Sequence, residues 1–380
     1  MKIKPKPNRD IPRLIVATSE TDADLLYATR FWAPDPFIFL QHNGKRTMVM
    51  SDLEIDRARK QASADEFVAY SDLEREVQGK AKTAPPYRRV LAHFLRGRQV
   101  RRATVPANFP LGFARELAGN NIRLEPTDGS FWPQREHKTK AEIRHIEHAL
   151  RFTEAGMKRG MEVLRRADPG RGKVLRWRGK TLTSEILRAE IDSAILRSGG
   201  VAHGTIVAGG DQACDPHERG TGPLKADSLI IFDVFPRDTE TGYFGDLTRT
   251  VVRGRANDAQ RRLWETVKAG QALALRQTKA GADGAAIHKR IQELFAKRGF
   301  PTEMRDGRRV GFFHGTGHGL GLEIHEYPRF QKVRLKAGQV VTVEPGLYYP
   351  GLGGVRIEDV VVVTRTGCRV LSRFPKQLEI

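Results

Sequence analysis

Cysteine is nearly absent. Two residues, Cys214 and Cys368, in a chain of 380 are too few for a disulfide scaffold or a thiolate metal site, and they suit a reducing cytoplasm. Long apolar runs are missing as well. The longest candidates, around Leu229 to Phe235 and Val360 to Val363, are strand-sized and fall far short of the ~20 residues of a membrane span. The amino terminus, Met-Lys-Ile-Lys-Pro-Lys-Pro, is basic but is not followed by a signal-peptide apolar core. A cytoplasmic protein without membrane association is the expectation. Neither GxGxxG nor a P-loop occurs in the first third of the chain, where His42 and His93 stand alone, so no catalytic constellation is expected there.

Acid is in short supply. There are 65 Lys and Arg against 45 Asp and Glu, a net charge of +20. A basic surface is the electrostatic footprint of nucleic-acid binding, but here the charge is scattered. Only small groups occur, at Arg165-Arg166, Arg171 to Arg178 and Arg305 to Arg309, and no nucleic-acid motif accompanies them. Specific nucleic-acid recognition is not expected; non-specific affinity for polyanions at low salt is.

What is present describes an ordinary globular protein, 39% hydrophobic and 29% charged, long enough for two or three domains at about 150 residues each. Up to residue 135, short apolar strands (Arg13 to Thr18, Phe67 to Tyr70, Arg102 to Val105, Ile122 to Glu125) alternate with helices (Ser19 to Thr29, Tyr87 to Leu95, Leu111 to Leu117). Pro36 to Met50 reads as a hairpin turning at Asn43-Gly44. Ser51-Asp-Leu-Glu54 and Ser71-Asp-Leu-Glu74 both fit the capping box. Pro126 to Pro133 is turn-rich, and from Lys138 a long helix carries Ile143, Ile146, Leu150, Thr153, Met157, Met161 and Leu164 on one stripe. A basic hairpin at Lys173 to Lys180 and a helix from Ser184 to Leu196, stopped by Gly199-Gly200, come next. Strands then follow at Thr205 to Ala208, Leu229 to Phe235 and Tyr243 to Val252. The same order recurs with helices at Ala259 to Thr278 and Gly284 to Lys297, and strands through His314 to Ile324, Gln339 to Val343 and Val355 to Val363. Helix, helix, strands thus appears twice, a quasi-repeat whose halves can pack their helices outside a shared curved sheet with a site between them.

Chemistry concentrates in His314-Gly-Thr-Gly-His318-Gly-Leu-Gly-Leu-Glu-Ile-His325-Glu326. Its glycines oppose helix, so the segment reads as extended backbone that passes close to a ligand and projects imidazoles into a site. Acids interrupt apolar strands at Asp233, Glu344 and Glu358-Asp359, and Asp246 follows Asp233 by thirteen residues. A charge in a buried strand costs several kcal/mol unless paired or metal-bound. Four carboxylates converging with an imidazole suit Mn, Co, Fe or Zn. Two ions about 3.5–4 Å apart would balance that charge and activate a water.

In this order Asp233, Asp246, His318, Glu344 and Glu358 resemble the five-ligand metal centre of the pita-bread metallopeptidases, the family of aminopeptidase P, prolidase and methionine aminopeptidase. Gly245-Asp-Leu-Thr-Arg-Thr250, His314-Gly-Thr-Gly-His-Gly, Val343-Glu-Pro-Gly-Leu-Tyr348 and Val355-Arg-Ile-Glu-Asp359 match in family order. The implied fold is α/β (α+β): a creatinase-like amino-terminal α/β domain over residues 1–135, then a pita-bread catalytic domain over 136–380 built of two helix-helix-strand halves around a curved sheet. The resemblance makes Asp246 and Glu358 bridging ligands, Asp233 a ligand of one ion, and His318 and Glu344 ligands of the other. Glu344 doubles as general base. His325 would stabilise the developing oxyanion, His217 and His314 would line the substrate pocket, and Arg356 would orient the carboxylates beside the substrate.

The implied cofactors are two divalent ions, manganese first, with cobalt, zinc or iron as alternatives. The implied reaction is hydrolysis between an N-terminal residue and proline, as an Xaa-Pro aminopeptidase or dipeptidase acting on a peptide or dipeptide with proline second, and a homo-oligomer, a dimer, is expected. The thirteen-residue spacing from Asp233 to Asp246 exceeds the family's usual eleven, which places two extra residues in a turn near Arg237 to Thr241. An even insertion keeps the side-chain faces. A non-catalytic pita-bread binding protein for nucleic acid or protein, or a creatinase-like C–N hydrolase, would share the fold, but the intact carboxylate set argues against both.

Overall fold

The computed structural model describes residues 11–380; the basic amino-terminal stretch discussed above lies outside them. The chain divides after Pro133 into two compact units.

The first unit is a six-stranded mixed sheet flanked by helices. In chain order it holds β1 (Arg13–Ala17), α1 (Ala23–Thr29), β2 (Phe37–His42), β3 (Lys45–Met50), α2 (Ile55–Gln61), β4 (Glu66–Ala69), α3 (Tyr70–Gln78), α4 (Tyr87–Gly97), β5 (Arg102–Val105), α5 (Leu111–Gly119) and β6 (Arg123–Pro126). The strand order is β4-β3-β2-β1-β5-β6. Asn43 and Gly44 both take positive φ, 54° and 76°, as a two-residue hairpin turn of this twist demands.

Neither expected capping box forms. Glu54 is itself the cap position of α2 without a side-chain cap bond, and its carboxylate pairs with Arg57 at 2.5 Å. Ser71 lies inside α3, and its hydroxyl donates to Asp52 Oδ1 at 2.9 Å. In both cases a competing side-chain partner holds the group that the box would need. A true box occurs instead at Thr139 and Glu142, opening the long helix α6 (Lys140–Arg165).

The second unit repeats one design. Helices α6 and α7 (Ser184–Ser198) cover a three-stranded sheet of β7 (Ile206–Gly209), β8 (Leu229–Val234) and β9 (Leu247–Val252). Helices α8 (Asp258–Gln277) and α9 (Gly284–Lys297) cover a five-stranded sheet of β10 (His318–Gly319), β11 (Glu326–Arg329), β12 (Val340–Val343), β15 (Asp359–Val363) and β16 (Cys368–Val370). A two-stranded ribbon, β13 (Gly346–Tyr349) and β14 (Gly353–Arg356), runs between.

Each helix pair closes over glycine. A Cβ on Gly156 of α6 would lie 2.8 Å from Ile195 Cγ1, and one on Gly270 of α8 would lie 2.5 Å from Phe295 Cε1. Phe295 is fully buried, so its ring has nowhere to yield. Gly270→Ala is therefore expected to lower stability by about 1–3 kcal/mol, despite alanine's better helix propensity. Urea unfolding checks it, and an unchanged midpoint would contradict the packing argument.

Two strand expectations give way. Of the stretch from His314 to Ile324 only His318 and Gly319 join a ladder, with a register shift between them. Glycines there allow backbone contact that a side chain would block: a Cβ on Gly317 would strike the Thr342 carbonyl, and one on Gly319 the Tyr327 carbonyl. The run from Val355 to Val363 breaks at Ile357 and Glu358. There the chain passes from ribbon to five-stranded sheet, and the Glu358 amide donates to Thr248 O of β9 at 3.1 Å. Among the described residues no helix is long and apolar enough to cross a membrane.

Candidate metal centre

Five side chains from five separate places in the second unit line one cavity of about 480 Å3: Asp233, Asp246, His318, Glu344 and Glu358. Asp233 is the single position of an otherwise buried β8 that is not fully enclosed, its side chain 13% exposed. Asp246 precedes β9, His318 occupies the bulge of β10, Glu344 follows β12, and Glu358 sits at the strand break. The sequence's apolar flanks explain the placement. Each acid adjoins a strand whose neighbours are fixed in the core, so the carboxylate is carried inward with them.

Asp246, His318 and Glu358 each offer a ligand atom, and these atoms lie within 4.8 Å of one another. His318 Nε2 is 3.7 Å from Asp246 Oδ2 and 3.3 Å from Glu344 Oε1. Its Nδ1–H donates to Gly319 O at 3.1 Å, which fixes the tautomer and leaves Nε2 as a lone-pair donor facing the acids. Burial, with His325 nearby, pushes the His318 imidazole down to about 3, so it is neutral at any working pH.

The carboxylates are held just as firmly. Thr248 Oγ1 donates to Glu358 Oε2 at 2.7 Å, and Thr342 Oγ1 to Glu344 Oε1 at 3.3 Å. Arg356 Nη2 donates to Asp233 Oδ2 at 2.6 Å, while Asp233 Oδ1 is buried without a hydrogen-bond partner. Burial first, and the neighbouring carboxylates second, drive Asp246 well above the ordinary range. The same causes act on Glu358. Burial pushes Glu344 up to about 7 against the pull of Arg356. A single guanidinium cannot balance this much buried negative charge, so protons or cations must. Oxygen donors, one neutral imidazole and an orphaned carboxylate oxygen suit hard to borderline divalent cations.

The remaining histidines separate by their partners. His314 lines the cavity, but both ring nitrogens are engaged: Nδ1–H donates to Gly315 O, and Nε2 accepts from the Tyr348 hydroxyl, each at 2.9 Å. Burial drives that ring down to about 3 and the Tyr348 hydroxyl up to about 12, so donor and acceptor keep their roles. Any contact of His314 with a substrate is left to its ring face. His325 also lines the cavity, its ring edge-on to His318 with centroids 4.3 Å apart. It is held below the ordinary imidazole range by burial, then by Arg329 and His217. His217 is exposed at the same cavity.

Arg356 faces the cavity but is committed to the protein. Besides Asp233, its guanidinium donates to Tyr348 Oη at 2.9 Å, Thr248 Oγ1 at 3.3 Å and Pro216 O at 3.3 Å. Every nitrogen is used, which suits the expected orienting role and leaves no donor free for the substrate-binding role also expected of Arg356.

The expected two-residue insertion is a turn organised by Asp238, which is buried and accepts from Thr241 Oγ1 at 2.8 Å and the Glu240 amide at 2.9 Å. His148 Nδ1 bonds it at 3.0 Å. Asp359 opens β15 and has partners of its own. It meets Arg249 at 2.8 Å, Lys376 at 2.6 Å and Ser372 at 2.8 Å. Arg249 is itself a hub, donating to Glu358 O, Phe374 O and Pro375 O at 2.5, 2.7 and 3.0 Å.

Sequence reasoning passed over Arg329 and Gln331 of the cavity wall and the buried trio Glu326, Arg135 and Lys138. Among 65 basic residues a single arginine carries no signal. Glu326 stood in view at the end of the histidine run, but its partners lie nearly two hundred positions earlier.

Residues 144–365, more than half of the chain, match the model of metallopeptidase family M24. The sequence is 31% identical over 245 residues to the Xaa-Pro dipeptidase of Pyrococcus furiosus, covering 63% of this chain and 64% of that protein. Two solved structures align along nearly the whole chain. The Xaa-Pro dipeptidase from Bacillus anthracis gives a TM-score of 0.80 at 23% identity, over 97% of this chain and 95% of that one. The X-Pro aminopeptidase from Thermotoga maritima MSB8 also gives 0.80 at 23%, over 97% of each. At such identity the likeness shows the fold, the pita-bread architecture.

Proposed function

This chain belongs to metallopeptidase family M24, and on that premise we propose that it is an Xaa-Pro dipeptidase, cleaving the bond between an N-terminal residue and a C-terminal proline. Arg329 carries the choice of dipeptide over longer peptide. It lines the metal cavity, is exposed to it, and has no ion-pair partner among the described residues. A cation so placed matches a free substrate carboxylate, which a dipeptide presents next to the scissile bond and a longer peptide does not.

Asp233, Asp246, His318, Glu344 and Glu358 would hold two divalent ions, manganese first. When bound, such ions supply Lewis-acid polarisation of the scissile carbonyl and a nucleophile at neutral pH. The chain's own residues do the rest. Glu344 takes the proton of the attacking water and returns it to the departing proline nitrogen. His325 donates its ring N–H to the developing oxyanion. His217 borders the substrate from the cavity wall. Arg356 fixes Asp233 and, through Tyr348, the His314 ring. Proline's nitrogen has no N–H to anchor, which leaves orientation to the carboxylate end and Arg329.

Residues 1–135 form, in the same reading, a creatinase-like domain, supported by the mixed six-stranded sheet. A homodimer in a reducing cytoplasm completes it, and the two free cysteines accord with that compartment. The deciding experiment compares Leu-Pro with Leu-Pro-Gly on manganese-loaded enzyme. Preference for the dipeptide is expected, and Arg329→Ala should raise KM for Leu-Pro by about 10- to 100-fold, the worth of one charge-assisted bond. A tripeptide cleaved better than the dipeptide, with Arg329→Ala silent, would make the protein an aminopeptidase.

A further inference from the structure

A second cavity of about 490 Å3 lies on the outer side of the second unit, between α6 and the 373–380 segment. Its floor is apolar, with Met161, Val251 and Phe374 among its walls. Its lip is cationic. Arg151, Lys158 and Arg165 of α6 border it on one side and Arg373 on the other. All four are exposed, and none has an ion-pair partner among the described residues.

The spacing on the helix is regular. Arg144, Arg151, Lys158 and Arg165 recur every seventh residue, so each step advances about 10 Å and rotates only ~20° about the axis. The acids of the same helix are engaged elsewhere. Glu147 pairs with Arg369 at 2.6 Å, Glu162 meets Arg159 at 3.7 Å, and Glu154, the one acid of the cavity, accepts the Arg373 amide at 2.6 Å. A trench about 21 Å long between Arg151 and Arg165 therefore combines an apolar floor with a net positive lip, four cationic side chains to one carboxylate side chain.

We propose that this cavity binds an elongated amphipathic monoanion, a medium-chain acyl carboxylate, with its chain along the floor and its carboxylate on the α6 cations. The volume is that of a small-molecule site. An apolar floor alone would accept a neutral chain, and cations alone would accept any anion; the pair selects a molecule that has both. Dodecanoate is the probe, titrated by calorimetry into the full-length, metal-loaded protein below its micellar concentration.

One saturable site is expected. Its affinity should fall at least tenfold in the Lys158→Glu/Arg165→Glu double variant. It should hold in Arg308→Glu/Arg309→Glu, which changes net charge equally on an exposed hairpin away from the cavity. Dodecanol should bind at least tenfold more weakly. The proposal is overturned by an absence of saturable binding, by equal loss in both double variants, or by equal affinity for the alcohol.

Discussion

His318→Ala is expected to empty the metal centre and to lower kcat/KM for an Xaa-Pro dipeptide by about a thousandfold or more, whereas His325→Ala keeps its metal and loses about a hundredfold in kcat. The two rings touch edge to face, so proximity does not separate them; their hydrogen bonds do. His318 has Nδ1–H tied to Gly319 O and Nε2 turned to Asp246 and Glu344. It brings the cluster's neutral nitrogen, and without it the carboxylates face one another alone. His325 lines the same cavity and is exposed to it, where a substrate oxygen would meet it. Metal content by plasma emission, beside steady-state kinetics, tests both variants. Metal lost from His325→Ala and kept by His318→Ala would mean that the two roles are exchanged.

Glu326→Ala should cost about 3–5 kcal/mol of folding stability, the usual result of stripping the partner from buried charge. Glu326 accepts from Arg135 Nη2 at 2.7 Å and from the Lys138 ammonium. The Lys138 side chain is 1% exposed, and without the carboxylate only the Arg135 carbonyl, at 2.6 Å, remains to it. Arg135 keeps Glu323 at 2.8 Å, so Lys138 carries most of the loss. Glu326→Gln should cost less, since it retains an acceptor. Burial alone would raise the Glu326 pKa, yet Lys138 and Arg135 outweigh it and hold the group below its ordinary value of 4.5. The stability so gained is complete above that value and is lost as pH falls through the lower, folded-state one. Denaturant unfolding of the native chain and the variant should therefore converge in acid. A gap that stays constant from neutrality to pH 3 would count against the ion triad.

The candidate metal ligands stood out in the sequence because each breaks a local rule. An aspartate in Leu229–Val234, a glutamate after Val340–Val343 and a histidine among glycines are anomalies within a few residues of themselves. Glu326 breaks no such rule. Beside a tyrosine in a polar loop it reads as a surface acid, and its burial follows from chain segments that only the fold brings together. The capping motifs failed for a related reason: Ser71 satisfies a four-residue pattern, but Asp52, nineteen positions away, takes its hydroxyl. The glycine run read as extended because helix was excluded, though close approach to Thr342 and Tyr327 leaves room for only a two-residue ladder. Arg356 was expected from the sequence to orient the acids, and its guanidinium donates to Asp233 Oδ2.

Arg249 has a bearing on how this protein comes apart. Its buried guanidinium ties the Glu358 carbonyl to those of Phe374 and Pro375. Val252 adds a reciprocal pair of backbone bonds, donating to Leu378 O and accepting from Ile380 N at 2.6 and 3.0 Å. Residues 373–380 belong to no named strand or helix. Peeling them off would strand a charged donor in the core and release the strand beside Asp246, an opening nearly as costly as global unfolding. Amides of the segment should therefore exchange as slowly as those of the core strands, and a proteolytic cut within it should disturb the strand beside Asp246.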